Sequence, residues 1–141
     1  MSLLARIQAL AAEHHAEWVG IRRHLHAHPE LSFEEHHTMA YVSATLKAWG
    51  VEHQTHVSGT GIVAHVHGQQ PDSRTVALRA DMDALPITEA NEVDYASTNP
   101  GVMHACGHDV HTTSLLGALR ILQLTSDCLL YTSDAADETC R

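Results

Sequence analysis

A chain of 141 residues, 44% hydrophobic and 18% charged, has the size and composition of one globular domain or a large part of one. Seventeen Asp and Glu against eight Lys and Arg leave a formal charge of -9, with no basic stripe to neutralise phosphates, which argues against a nucleic-acid partner. No apolar run approaches the roughly 20 residues that cross a bilayer, and Met1-Ser2-Leu3-Leu4-Ala5-Arg6 does not read as a signal peptide, so a cytoplasmic protein without membrane contact is expected.

From Ser2, a candidate N-cap, apolar residues recur at Leu3, Ile7, Leu10, Ala11, Trp18, Ile21 and Leu25, which predicts a helix that Pro29 stops nearby. All 14 histidines lie from His14 to His111, and pairs such as His14-His15 and His36-His37 read as solvated helix faces. The alternation His24-x-His26-x-His28 would chelate a metal only if extended, yet it falls on the end of this helix. Ser32-Phe33-Glu34-Glu35 reads as a capping box, with Glu35 reaching back to the Ser32 amide. Met39, Val42, Leu46 and Trp49 then mark the buried stripe of a second helix, and Gly50 closes it in the left-handed cap position.

Val51 to Val57 and Ile62 to His67 read as strands about the turn Ser58-Gly59-Thr60-Gly61. After Gln69-Gln70-Pro71-Asp72-Ser73 comes a third, Thr75 to Ala80, whose run Val76-Ala77-Leu78 suits a central strand. Asp109 is the candidate N-cap of a last helix through Val110, Ser114, Gly117 and Ile121, whose small residues would let it lie close on a sheet. Helices before and after a cluster of strands predict an α/β sandwich.

Two segments carry chemistry. The third strand runs into Arg79-Ala80-Asp81-Met82-Asp83-Ala84-Leu85-Pro86, placing two carboxylates beyond a strand end; extended geometry would put Asp81 and Asp83 on one side, although such a pair also suits an ordinary turn. His104-Ala105-Cys106-Gly107-His108-Asp109-Val110-His111 packs a thiol and three imidazoles around a glycine. Thiolate and neutral imidazole are good zinc ligands, and the aspartate at the helix start can brace a ring nitrogen. A buried packing cysteine beside satisfied histidines is the plain alternative. Cys106, Cys128 and Cys140 form no disulfide framework, and without paired Cys-x-x-Cys spacing a structural zinc knuckle fits less well than a catalytic metal site.

The segments RRHLHAHPELSFEE, ALRADMDALPITE and VMHACGHDVHTTSLLGALR together resemble the aminoacylase and carboxypeptidase metallopeptidase family, in the branch of hippurate hydrolase, N-acyl-amino-acid amidohydrolases and plant auxin-conjugate hydrolases. The resemblance covers residues 1–127 and implies the N-terminal part of a zinc-peptidase-like α/β sandwich, incomplete here, with an inserted lid domain, also the expected homodimer contact, absent from this chain. It implies two divalent metal ions (zinc, manganese, nickel or cobalt), Cys106 and His108 as ligands, and Asp83 as the acid assisting catalysis on an N-acyl amino acid. Two ions roughly 3.5–4 Å apart would polarise the scissile carbonyl and activate water. The family's adjacent glutamates, one of them the general base, and its later histidine ligands belong downstream of residue 127, and Glu34-Glu35 lies too early to replace them. An inactive chain is therefore expected. The competing reading is a small histidine-rich metal-binding module without catalysis.

Cys128-Leu129-Leu130-Tyr131-Thr132-Ser133-Asp134-Ala135-Ala136-Asp137-Glu138 reads like the translation of a transposon-type sequencing adapter. Residues 128–141 are accordingly expected to be a foreign, loose tail.

Overall fold

A computed structural model describes residues 1–70 and 74–129. The first helix, α1, spans Leu3–Ala27; Ser2 caps it, its Oγ accepting the Ala5 amide at 3.3 Å. At the other end Thr98 donates its amide (2.8 Å) and its hydroxyl (2.7 Å) to the Ala27 carbonyl, satisfying an acceptor that the helix leaves open ahead of Pro29.

The second helix, α2, spans His36–Ala48 and begins later than a capping box would require. Phe33 sits at φ 66°, in the left-handed region, so the chain turns away before helical geometry starts. Glu35 becomes the N-cap residue, yet its carboxylate is taken by the buried Thr60 hydroxyl. The orphan amides are met instead by Glu30, whose carboxylate accepts from His37 N (3.0 Å), Thr38 N (2.7 Å) and Thr38 Oγ1 (2.8 Å). A carboxylate at a helix N-terminus also meets the positive end of the dipole. The C-terminus follows expectation: Gly50 sits at φ 70°, its amide reaches Lys47 O at 3.0 Å, and the Val51 amide reaches Leu46 O at 2.9 Å. That is a Schellman motif, and its apolar contact pairs Val51 with Leu46, both buried.

Strands β1 (Glu52–Val57) and β2 (Gly61–His65) form an antiparallel hairpin with Glu52 opposite His65, His53 opposite Ala64 and Gln54 opposite Val63. An irregularity between Gln54 and Val57 accompanies positive φ at His56 (60°) and Ser58 (53°). The last helix, α3, spans His108–Leu124 and packs against α1 rather than on a sheet. Gly117 makes that approach workable, since a Cβ there would lie 3.3 Å from the Trp18 ring. Ile21 and Leu25 of α1, Val42 and Leu46 of α2, Val51 and Leu116 of α3 share one buried cluster.

The chain is thus α/β with a two-stranded sheet among the described residues. The expected third strand is not formed among the described residues: Thr75 to Ala80 join no ladder there, and Val76 and Leu78 are 51% and 58% exposed. An apolar run becomes a central strand only when neighbours take its amides and carbonyls, and neither β1 nor β2 does so. Pairing resumes just beyond, where Leu31 bridges Ala84 and Leu85 bridges Met103. Among the described residues no helix is long and apolar enough to cross a membrane. Of the segment 128–141, Cys128 ends a short 3-10 turn and the Leu129 carbonyl accepts the Gln69 amide at 2.9 Å; residues 130–141 lie outside the described residues.

Candidate metal centre

The segment after Asp83 is pinned from both sides. Ala84 N donates to Glu30 O at 2.7 Å, while Leu85 and Met103 exchange amide-to-carbonyl bonds of 2.9 and 3.0 Å. This holds the Asp83 end and the His104 to Gly107 turn side by side. Gly107, at φ 81°, is the N-cap of α3, so the left-handed step that starts the helix falls where no Cβ resists it. His108 is the first helical residue. Asp109 is therefore not the N-cap but the second residue of the helix, and it is buried.

His108 Nδ1 lies 2.9 Å from the Asp83 carbonyl and 3.0 Å from Asp83 Oδ1. Both partners only accept, so Nδ1 donates, and the lone pair is left on Nε2. A metal-binding histidine has this arrangement: one nitrogen braced by carbonyl or carboxylate, the other free to coordinate. Cys106 is a free, exposed thiol two residues earlier, on the same turn. Asp81 does not join Asp83; its carboxylate pairs with Arg79 and its carbonyl accepts the Thr112 hydroxyl at 2.9 Å. The His111 ring lies 5.5 Å from that of His108, tilted by 36°.

Beneath this turn lies a buried polar group in which Asp109 braces a ring nitrogen, as its place at the helix start suggested, with partners His26 and Glu89 that sequence reasoning missed. Asp109, 1% exposed, accepts the Val110 amide on Oδ1 (2.9 Å) and faces His26 Nδ1 with Oδ2 (2.7 Å). Arg22 Nε is 2.9 Å from the same oxygen, close enough for an ion pair but not aligned as a hydrogen bond. Arg22 Nη2 also stands 3.3 Å from His26 Nδ1; two donors meet there, and the shorter contact to Asp109 takes the histidine's hydrogen. His26 Nε2 reaches Glu89 Oε1 at 2.9 Å. Glu89 in turn accepts the Ser97 amide at 2.6 Å and the Asn91 side-chain amide at 3.0 Å. The Ser97 amide, with His26 and Asn91 adding to it against the opposing effect of burial, holds the Glu89 carboxyl down at about 2. Tyr95 covers the cluster, its ring 5.0 Å from the Arg22 guanidinium and edge-on to His26 at 5.6 Å.

The His24-x-His26-x-His28 alternation resolves into three separate roles. His24 stacks on Tyr41 at 3.8 Å, with burial and then His28 pushing its pKa down, and His28 Nδ1 bonds to His24 O at 2.8 Å as the helix ends. His104 is buried, and neither ring nitrogen has a hydrogen-bond partner. Burial, foremost among several neighbours, pushes its pKa down. Among the described residues no three His, Cys, Asp or Glu side chains converge closely enough to hold a metal ion. The exposed thiol of Cys106 and the braced imidazole of His108 are donor types that suit zinc and its neighbours.

The family model for peptidase family M20/M25/M40 matches residues 77–130, the stretch that contains Asp83, Cys106 and His108. An N-acyl-L-amino acid amidohydrolase of Geobacillus stearothermophilus is 50% identical over 121 residues, 86% of this chain and 32% of that protein. The N-acetyl-L-cysteine deacetylase of Bacillus subtilis is 48% identical over 79% of this chain and 26% of its own length. The crystal structure of Bacillus subtilis YXEP, described as a dinuclear metal binding peptidase from the M20 family, superposes with a TM-score of 0.78 at 38% identity, covering 82% of this chain and 33% of that one.

The chain is similar to peptidase family M20/M25/M40 over residues 77–130 and to M20 proteins over most of its own length. It spans about a third or less of the length of these M20 relatives. Its relatives are hydrolases, and the three sequence segments that carry the metallopeptidase resemblance meet at one place: His26 comes from RRHLHAHPELSFEE, Glu89 from ALRADMDALPITE and Asp109 from VMHACGHDVHTTSLLGALR.

Proposed function

We propose that residues 1–127 are the N-terminal part of the catalytic domain of a metal-dependent amidohydrolase that cleaves the amide bond of N-acyl amino acids, hippurate among them, and that residues 128–141 are foreign to it. In this reading Cys106 and His108 are metal ligands and Asp83 is the acid beside the metals. The observation that carries it is the double acceptor, Asp83 carbonyl and Asp83 carboxylate, on His108 Nδ1, which directs Nε2 toward a ligand. Two divalent ions, whether zinc, manganese, nickel or cobalt, would supply Lewis-acid polarisation of the amide carbonyl and activation of water.

The remaining work falls to the protein's side chains. Cys106, exposed on the turn, can meet a metal ion without first having to be uncovered. Asp83 keeps His108 in one tautomer. The general base and remaining ligands implied by the family are not supplied by the segments described above, so the 141-residue chain is expected to be inactive. General acid–base help alone is typically worth 10²–10⁴-fold. The test is hydrolysis of hippurate and N-acetyl amino acids by this chain and by a version extended to the length of its relatives. We expect turnover only from the extended protein, abolished by Cys106→Ser. Turnover by the short chain that Cys106→Ser removes would refute the reading, as would an extended protein indifferent to that substitution.

A further inference from the structure

We infer that Glu89, His26 and Asp109 form a buried positioning relay that fixes the His108 ring for its role as ligand. The inference deepens the proposed metal site and rests on it for purpose, but its geometry stands independently. Three elements meet in the relay: α1 through His26, the 87–103 loop through Glu89, and the first turn of α3 through Asp109. The side chains of His26 and Glu89 are each 5% exposed, so water is in no position to replace either partner.

The two ring nitrogens of His26 each face a carboxyl oxygen, Nδ1 at 2.7 Å from Asp109 and Nε2 at 2.9 Å from Glu89. Glu89 is held further by the Ser97 amide on Oε2 and the Asn91 side-chain amide on Oε1. Asp109 is bonded to His108 through the chain, and its Oδ1 also holds the Val110 amide. The peptide that carries the His108 ring is thus anchored on α1, while Asp83 holds the ring itself. Buried histidines and acids often serve stability alone. The distinguishing feature is that the relay ends on Asp109, next in the chain to a braced imidazole.

Two readouts on the 141-residue chain test this. In the first, metal-free, histidine-labelled protein is examined by ¹⁵N NMR. The His108 Nδ1–H tautomer should be fixed in the parent and averaged between tautomers in His26→Ala, with Glu89→Gln giving a smaller change in the same direction. In the second, cobalt(II) is titrated in a Cys128→Ser, Cys140→Ser background, so that a thiolate-to-cobalt absorption band reports Cys106. His26→Ala should weaken cobalt binding 10–100-fold, the usual effect of removing an outer-shell partner, and shift the band. His26→Gln, which can still donate to one carboxylate, should recover part of both.

Helix content by circular dichroism is followed throughout; if His26→Ala unfolds, Glu89→Gln, which preserves shape and an acceptor oxygen, carries both comparisons. A His108 tautomer and a cobalt band unchanged in folded variants would overturn the relay. A parent chain that gives no cobalt band, yet whose His108 tautomer responds to His26→Ala, would instead refute the metal reading and leave the positioning intact.

Discussion

The buried relay and the exposed 74–80 segment are opposites. His26, Glu89 and Asp109 are polar groups with a full set of partners, drawn from positions 63 and 83 residues apart in the chain. Val76 and Leu78 are apolar groups with none of the burial their composition invites. Polarity therefore does not decide what is interior here. Partners do: a carboxylate is tolerated at 1% exposure because imidazole and guanidinium stand against it, and an apolar run stays outside because no neighbouring strand receives its backbone.

The hardest way to break that contrast is Asp109→Ala. It leaves His26 and Arg22 facing an empty buried site, and removing one partner of such a group costs about 3–5 kcal/mol. Urea denaturation should show a loss of that order, with no compensating gain from the smaller side chain. Leu46→Ala comes next, expected to cost about 2–5 kcal/mol in the same measurement, since Leu46 is 1% exposed and joins α2 to the shared core. A Leu46→Ala loss exceeding that of Asp109→Ala would place the weight of the interior on the apolar cluster rather than on the relay.

These two residues also mark what the sequence made legible. Leu46 lies on a stripe visible from spacing alone, as do the Ser2 cap, the hairpin and Gly50, because each is fixed by residues within a few positions. The relay was invisible for the opposite reason. Residues two apart on a helix point about 200° apart, so His26 faces away from His24 and His28, toward partners that only the tertiary fold brings near. The same limit explains the mistaken capping box: the pattern Ser32 to Glu35 satisfies the local rule, but Glu30 and Thr60 offer bonds that the rule does not weigh. The contact of Asp83 with His108, 25 residues on in the chain, is likewise made by the tertiary fold.

Acid sharpens the comparison further. The folded Glu89 carboxyl sits at about 2, below its ordinary 4.5, so its contribution is fully present above 4.5 and is lost as pH falls from there toward 2. Melting temperature followed by circular dichroism should fall more steeply with pH across that window in the parent than in Glu89→Gln, which has no such proton to take up. Equal slopes would remove Glu89 from the polar interior as an ionised group.

The smallest expected effect belongs to Leu78→Ser. With 58% of Leu78 exposed and no ladder through residues 75–80 among the described residues, the substitution removes few packed contacts, and surface changes of this kind stay within about 0.5 kcal/mol. Its larger consequence should appear in association: residues 75–80 belong to no ladder among the described residues and carry exposed apolar side chains, the conditions for edge-to-edge pairing between chains. Sedimentation velocity of parent and variant over a range of concentrations should show less self-association in Leu78→Ser, at unchanged midpoint in urea. A destabilisation comparable to that of Leu46→Ala would mean that the segment is buried in solution after all, and the contrast between partnered polar interior and unpartnered apolar exterior would fall with it.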